Sequence, residues 1–138
     1  MRVAIAQLYQ KVLIRFSTND STDVLSTLGV IQGCPLSPTL FGIFIDQLHG
    51  FLEEMGGAGS QLGALVIQLL IFADDVVLLA HNQADLQQHL LALEHFCKQS
   101  GMQVNMKKTK CLAIGTKQEF SLYFAGEKVE MVTSYKYL

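Results

Sequence analysis

Positive charge is what this sequence most lacks. Between residues 16 and 97 there is no lysine or arginine, while nine acidic residues fall in the same stretch. Such a segment does not grip phosphates unaided and is better suited to holding cations. Arg2, Lys11 and Arg15 precede it without an acid, and residues 98–138 carry seven lysines against three glutamates, so the net charge of −2 hides a marked asymmetry.

Cysteine pairs are missing too. Cys34, Cys97 and Cys111 are an odd, scattered set with no CxxC, which excludes a disulfide framework or a zinc ribbon. They read as reduced thiols of an intracellular protein, cytoplasmic or nuclear. The four histidines give no HxxxH spacing. His89, His95 and Cys97 on one predicted helix make a poor metal set, and the two histidines read as helix-surface residues. No secretory leader is visible, because "MRVAIAQLYQK" is too mixed for an apolar core. "ALVIQLLIFADDVVLLA" is too short for a comfortable membrane span, and each central aspartate would cost about 2.5–3.5 kcal/mol at a helix centre. No internal repeat occurs. Half of the 138 residues are apolar and 16% are charged, which is enough for one domain with a real core.

The order of elements reads as α+β. "VAIAQLYQKV" has helical spacing, "VLIRFS" is strand-like and "TNDSTD" is a turn. "LGVIQGCPLSP" packs Gly29, Gly33, Pro35 and Pro38 into a structured loop. Ser37 and Pro38 mark a helix start. The helix runs to about Met55, with Leu40, Phe44, Leu48, Phe51 and Met55 on one face. "GGAGS" is a loop. "LGALVIQLLIF" and "VVLLA" are strands on either side of Ala73, Asp74 and Asp75. "NQADLQQHLLALEHFCKQSG" is an amphipathic helix with Leu86, Leu90, Leu93 and Cys97 on a face, capped by Asn82 and ended by Gly101. Short strands follow in "MQVN", "KCLAIG", "FSLYFAG", "KVEMVT" and "SYKYL", with a hairpin turn in Ala125–Lys128. The sum is a mainly antiparallel sheet with helices on one face.

Asp74 and Asp75 sit inside the most apolar run of the chain. Burying even one unpaired carboxylate costs on the order of several kcal/mol. A hairpin with the pair at or beside its turn lets both escape the core while the apolar flanks form buried strands. Two close carboxylates repel unless a cation lies between them. Mg²⁺ suits them, since it takes one or two carboxylates together with waters and substrate phosphates.

"GVIQGCPLSPTLFGIFIDQL" (29–48) followed by "FADD" (72–75) resembles the reverse transcriptase palm, in particular that of non-LTR (LINE-like) retrotransposons. There a G-x-x-Q-G-x-P-x-S-P loop opens a helix and a hairpin with F/Y-A-D-D follows. "GMQVNMKKTKCLAIG" (101–115) resembles the family's G-L-x-x-N-x-x-K-T block, and "FAGEKVEMVTSYKYL" (124–138) its Y-K-Y-L-G block. A group II intron maturase is a related alternative, against which the YKYL ending counts. The resemblance implies a palm-like antiparallel sheet and RNA-directed DNA polymerase activity. It also implies two Mg²⁺ ions, with an RNA template, a DNA primer and deoxynucleotides as partners. Asp74 and Asp75 match the catalytic, metal-binding pair. Gln32, Gly33, Pro35, Ser37, Phe72, Ala73 and Lys108 match positions around nucleotide and template, with Lys107 or Lys110 as substitutes for Lys108. Tyr135, Lys136 and Tyr137 match the primer grip.

The family's upstream block carrying a further aspartate has no match before Gly29; Asp20 and Asp23 are poor stand-ins. Residues 1–138 are therefore expected to be a partial domain, truncated at both ends. It would lack the strand with the first catalytic aspartate, most of the fingers, and the thumb. By itself the chain is expected not to polymerise and to aggregate or be partly molten. The alternative is a non-catalytic, retrotransposon-derived binding module.

Overall fold

The computed structural model describes residues 12–16, 22–26, 29–115 and 120–136. The chain forms two compact units, residues 1–44 and 45–138. The architecture is α+β, with helices and short sheets both present.

In the first unit, β1 (Val12–Phe16) pairs antiparallel with β2 (Thr22–Ser26), from Val12 opposite Ser26 to Phe16 opposite Thr22. Thr22 and Asp23 thus belong to a strand, where the polar run 18–23 suggests only a turn. The helix expected over 3–12 lies outside the described residues, apart from Val12, which is in β1. The Gly-Pro loop is built from consecutive turns. Cys34 N–H donates to the Ile31 carbonyl (3.2 Å) and Ser37 N–H to the Cys34 carbonyl (3.0 Å). Gly33 has φ +82, a left-handed conformation that suits a residue without a Cβ. α1 (Ser37–Ile45) follows.

The helix expected to run unbroken to Met55 stops at Asp46 and restarts as α2 (Gln47–Met55). His49 N–H reaches only three residues back, to the Asp46 carbonyl (3.1 Å), so the ladder tightens there. Which side faces the core also differs. Ile45, Leu48 and Leu52 are buried, whereas Met55 is exposed.

α3 (Gln83–Ser100) begins and ends where its local chemistry says it should. The Asn82 side chain accepts from Asp85 N–H (2.9 Å), and Gly101 closes the helix in the left-handed conformation, φ 72. α2 and α3 pack together. Phe51 meets Phe96 edge-on, with ring centroids 5.6 Å apart. Leu48, Leu52, Leu90, Ala92 and Phe96 are buried. Each fully buried leucine contributes about 1.5–3 kcal/mol.

The apolar run 62–72 is not one strand. β3 (Ser60–Leu62) and β4 (Leu65–Ile67) form a hairpin around Gly63, which has φ +61. Gln68 then interrupts the run before β5 (Leu69–Phe72), which pairs with β6 (Asp75–Leu78). Further along are β7 (Lys110–Leu112), β8 (Tyr123–Phe124), β9 (Glu127–Lys128) and β10 (Glu130–Val132). Residues 102–105 and 134–136 are not strands. β7 and β10 pair in parallel, and all other pairs are antiparallel. Among the described residues the strands stay as separate two-stranded pairs rather than one continuous sheet.

Side chains of α3 do for the edge of β8 what a neighbouring strand would do. Gln83 donates to the Ser121 carbonyl (3.0 Å), and Gln87 both donates to the Tyr123 carbonyl (2.8 Å) and accepts from its N–H (2.9 Å). Glu94 accepts from Ala125 N–H (3.2 Å). The Lys98 ammonium beside it, at 2.6 Å, holds the Glu94 carboxyl below its ordinary range.

Candidate functional site

Phe72 pairs with Asp75, so Ala73 and Asp74 alone form the loop between β5 and β6. A two-residue hairpin loop must match the strands' right-handed twist, which calls for positive φ within it. Ala73 supplies it, at φ 51. An L-residue in that region costs about 1–2 kcal/mol, and such strain is characteristic of functional tips. Asp74 and Asp75 are both exposed, and so is Phe72. The apolar flank is less buried than its composition suggests: Leu70 and Ile71 are exposed, and Val76, Val77 and Leu78 are half-buried.

Among the described residues no group of three or more His, Cys, Asp or Glu side chains is placed so that it could hold a metal ion. Two adjacent exposed carboxylates are nevertheless a suitable donor set for a hard ion that keeps its waters and shares itself with substrate phosphates. They are a poor set for zinc, whose sites take three or four protein ligands with histidine or cysteine among them.

A second corner gathers Lys108 and Tyr135. The Asn105 carbonyl accepts from Lys108 N–H and from Thr109 N–H, both at 3.0 Å, and from the Thr109 hydroxyl at 3.0 Å. Lys108 is thereby presented on a tight turn with its side chain exposed. The Tyr135 hydroxyl donates to the Lys108 carbonyl (3.2 Å). Lys110 is differently employed: its ammonium donates to Glu130 (2.6 Å) and to the Lys107 carbonyl (2.8 Å), and its side chain is only 18% exposed. Lys110 is thus engaged within the β7–β10 pair. Lys136 is exposed; Tyr137 lies outside the described residues.

Gln32, Gly33, Pro35 and Ser37 belong to the 1–44 unit. Gln32, Gly33 and Pro35 are exposed, whereas Ser37 is buried and its hydroxyl donates to the Ile31 carbonyl at 2.5 Å. Its position there is inside the loop, tying the start of α1 back to the Gly-Pro turn.

His89 is the residue that sequence reasoning placed wrongly. It is fully buried, with Nε2 2.9 Å from the Gly57 carbonyl oxygen. The spacing of His89, Ala92 and Phe96 at i, i+3 and i+7, beside the small residues of the Gly56–Gly57 loop, was the available signal.

The sequence matches the family described as reverse transcriptase (RNA-dependent DNA polymerase) over residues 2–138. It is 38% identical over 86 residues to a retrovirus-related Pol polyprotein from the type-1 retrotransposable element R2 of Popillia japonica, covering 62% of this chain and 12% of that protein. The corresponding R2 polyprotein of Nasonia vitripennis is 40% identical over 86 residues, 62% of this chain and 8% of its own length. The polyprotein of the type-2 element R2DM of Drosophila melanogaster is 35% identical over 97 residues, 70% of this chain and 9% of its own. The chain thus spans a small part of the relatives it matches. No solved structure matches it.

Proposed function

Since the chain belongs to the reverse transcriptase (RNA-dependent DNA polymerase) family, and resembles the Pol polyproteins of R2 non-LTR retrotransposons, we propose that it is a palm-like segment that holds divalent metal beside a nucleotide's phosphates. The observation that carries this reading is the placement of Asp74 in a two-residue hairpin loop and of Asp75 on the ladder rung that closes it, both exposed.

In this reading the two carboxylates hold Mg²⁺, which when bound supplies charge stabilisation to the transferring phosphoryl group and activates a primer 3′-hydroxyl. The protein's part is orientation. The short loop leaves Asp74 little conformational freedom, and β5–β6 carries Asp75 in fixed register with Phe72. Lys108, on its Asn105 turn, meets triphosphate charge and donates a proton to the departing pyrophosphate. Phe72 and Ala73 flank the incoming deoxynucleotide; within their own unit, Gln32, Gly33 and Pro35 present a loop for template or nucleotide, and Ser37 holds that loop. Tyr135 and Lys136 line the primer's path, and Tyr137 is assigned to the same primer-grip block by its sequence match alone. An RNA template and a DNA primer are the partners.

These 138 residues contribute two carboxylates where the family uses three, so the polypeptide by itself binds metal weakly and does not polymerise. Primer extension on an RNA template with Mg²⁺ and deoxynucleotides tests both parts. No synthesis by the chain alone, together with Mn²⁺ binding that Asp74→Ala abolishes, is the expected pair of results. Robust synthesis lost in Asp74→Ala would keep the site and overturn the inactivity; Mn²⁺ binding unchanged in Asp74→Ala would overturn the site.

A second reading, a non-catalytic binding module, is favoured by the β3–β4 hairpin, where Leu62, Leu65 and Val66 are each about two-thirds exposed. A binding partner retained by Asp74→Ala and lost by Val66→Asp would support it.

A further inference from the structure

The Gly57 carbonyl receives two side chains from different elements. Gln68 Nε2 donates to it at 2.9 Å, and His89 Nε2 lies 2.9 Å from it. A carbonyl only accepts, so His89 Nε2 carries the hydrogen, and Nδ1 is the ring's other polar atom. That Nδ1 is buried without a hydrogen-bond partner. A leucine at 89 would avoid the cost of an unpaired buried nitrogen. The histidine therefore makes sense through what Nε2 does.

What it does is close a ring through the base of the Asp74–Asp75 hairpin. Gln68 sits just before β5, and its own carbonyl accepts from Leu79 N–H (2.8 Å), adding one rung beyond Leu69 opposite Leu78. From Leu79 the chain reaches the α3 cap at Asn82 in three residues, and α3 carries His89 back to Gly57. The hairpin needs such an anchor, because a lone two-stranded ribbon is marginally stable in water. The Gly57 backbone comes unusually close to α3. A Cβ added there would lie 2.4 Å from Asp85 Cα and 2.6 Å from Asp85 Oδ1. At Gly59 it would lie 2.6 Å from Gln68 Cγ and 2.7 Å from the Ile67 carbonyl oxygen. The small residues of this loop are what let helix and hairpin base converge on one acceptor.

We propose that His89 and Gln68 are positioning residues for the Asp74 and Asp75 carboxylates, acting through the shared Gly57 carbonyl to fix the root of the hairpin that carries them. The inference rests on the reading of Asp74 and Asp75 as a metal site, but its first readout needs no metal.

The test is amide hydrogen exchange at Leu79 in the full chain, followed by Mn²⁺ titration monitored by water-proton relaxation. His89→Leu and Gln68→Leu are each expected to speed Leu79 exchange about tenfold, the scale of one lost buried hydrogen bond. The double variant should add little to either, since both act on one acceptor. His89→Gln, which keeps a donor at the Nε2 position, should restore slow exchange. Mn²⁺ affinity should fall and recover in the same order. A folded His89→Leu chain with unchanged Leu79 exchange would overturn the proposal. If His89→Leu fails to fold, Gln68→Leu decides in the same way. Mn²⁺ binding that survives Asp74→Ala sinks the metal reading and the positioning role with it. That failure is recognisable because Leu79 exchange would still respond to His89.

Discussion

Asp75 stands directly opposite Phe72 as the last rung of the β5–β6 ladder, with only Ala73 and Asp74 between them. The loop has no slack. A one-residue slip would turn every side chain of β6 to the other face and carry Asp75 with them. Position 73 therefore carries the backbone cost of the tip, at φ 51.

Ala73→Val is expected to lose about 1–2 kcal/mol, since a β-branched residue is a genuine outlier at positive φ. Ala73→Gly should be close to neutral, because relief of strain offsets the greater freedom of the unfolded chain. Urea unfolding of the two variants gives both values. Equal stability of the valine and glycine chains would contradict a left-handed residue 73.

Asn82→Ala should destabilise by about 1 kcal/mol, the usual cost of losing an N-cap, and Asn82→Ser by only a few tenths. The cap bond to Asp85 N–H is 2.9 Å long, and the Asn82 amide also donates to the Asp85 carboxylate at 2.6 Å. Helix-specific amide exchange at Asp85 and Leu86 localises the effect.

Lys110 and Lys108 are two residues apart and should behave oppositely. Lys110→Met breaks the bridge to Glu130 across the parallel β7–β10 pair. With Glu130 65% exposed, solvent screening limits the loss to about 0.5–1 kcal/mol. Lys108→Met, altering an exposed side chain, should stay within about 0.5 kcal/mol of the parent. It should instead weaken binding of a deoxynucleoside triphosphate. Thermal melts and a nucleotide titration separate the two.

Cys97 and Cys111 are buried, and desolvation raises both thiols above their ordinary value of 9.0, with the Glu94 carboxylate adding to the effect at Cys97. The folded chain thus keeps protons that the unfolded chain releases. The associated stability is fully present below pH 9 and is lost as pH rises through the folded-state values. Iodoacetamide at pH 8 should label these two thiols at least about tenfold more slowly in the native chain than after denaturation, because thiolate and access are both required.

Features whose causes are local were readable in advance. Asn82 and Gly101 bound α3 because a side-chain acceptor at one end and a left-handed residue at the other are satisfied within a few residues. The Asp74–Asp75 hairpin was readable from apolar flanks around a polar pair; the turn expected over Ala125–Lys128 is shorter, since Glu127 and Lys128 form β9 and only Ala125 and Gly126 lie between the paired strands. The break at Asp46 was not readable, since apolar spacing continues across it. Nor was the interruption at Gln68, which sits inside an apolar run, follows β4 and sends its side chain to Gly57.

From its sequence alone the protein had its α+β class, its family blocks and the exposed acidic turn, because periodicity, capping chemistry and spacing operate over neighbouring residues. Tertiary structure decided which polar groups meet. His89 is buried against Gly57, 32 residues away, Lys110 is taken by Glu130, 20 residues away, and Lys108 is joined to Tyr135, 27 residues away. Those pairings depend on how helices and hairpins approach one another, and close approach is set by packed volume, which no local pattern encodes.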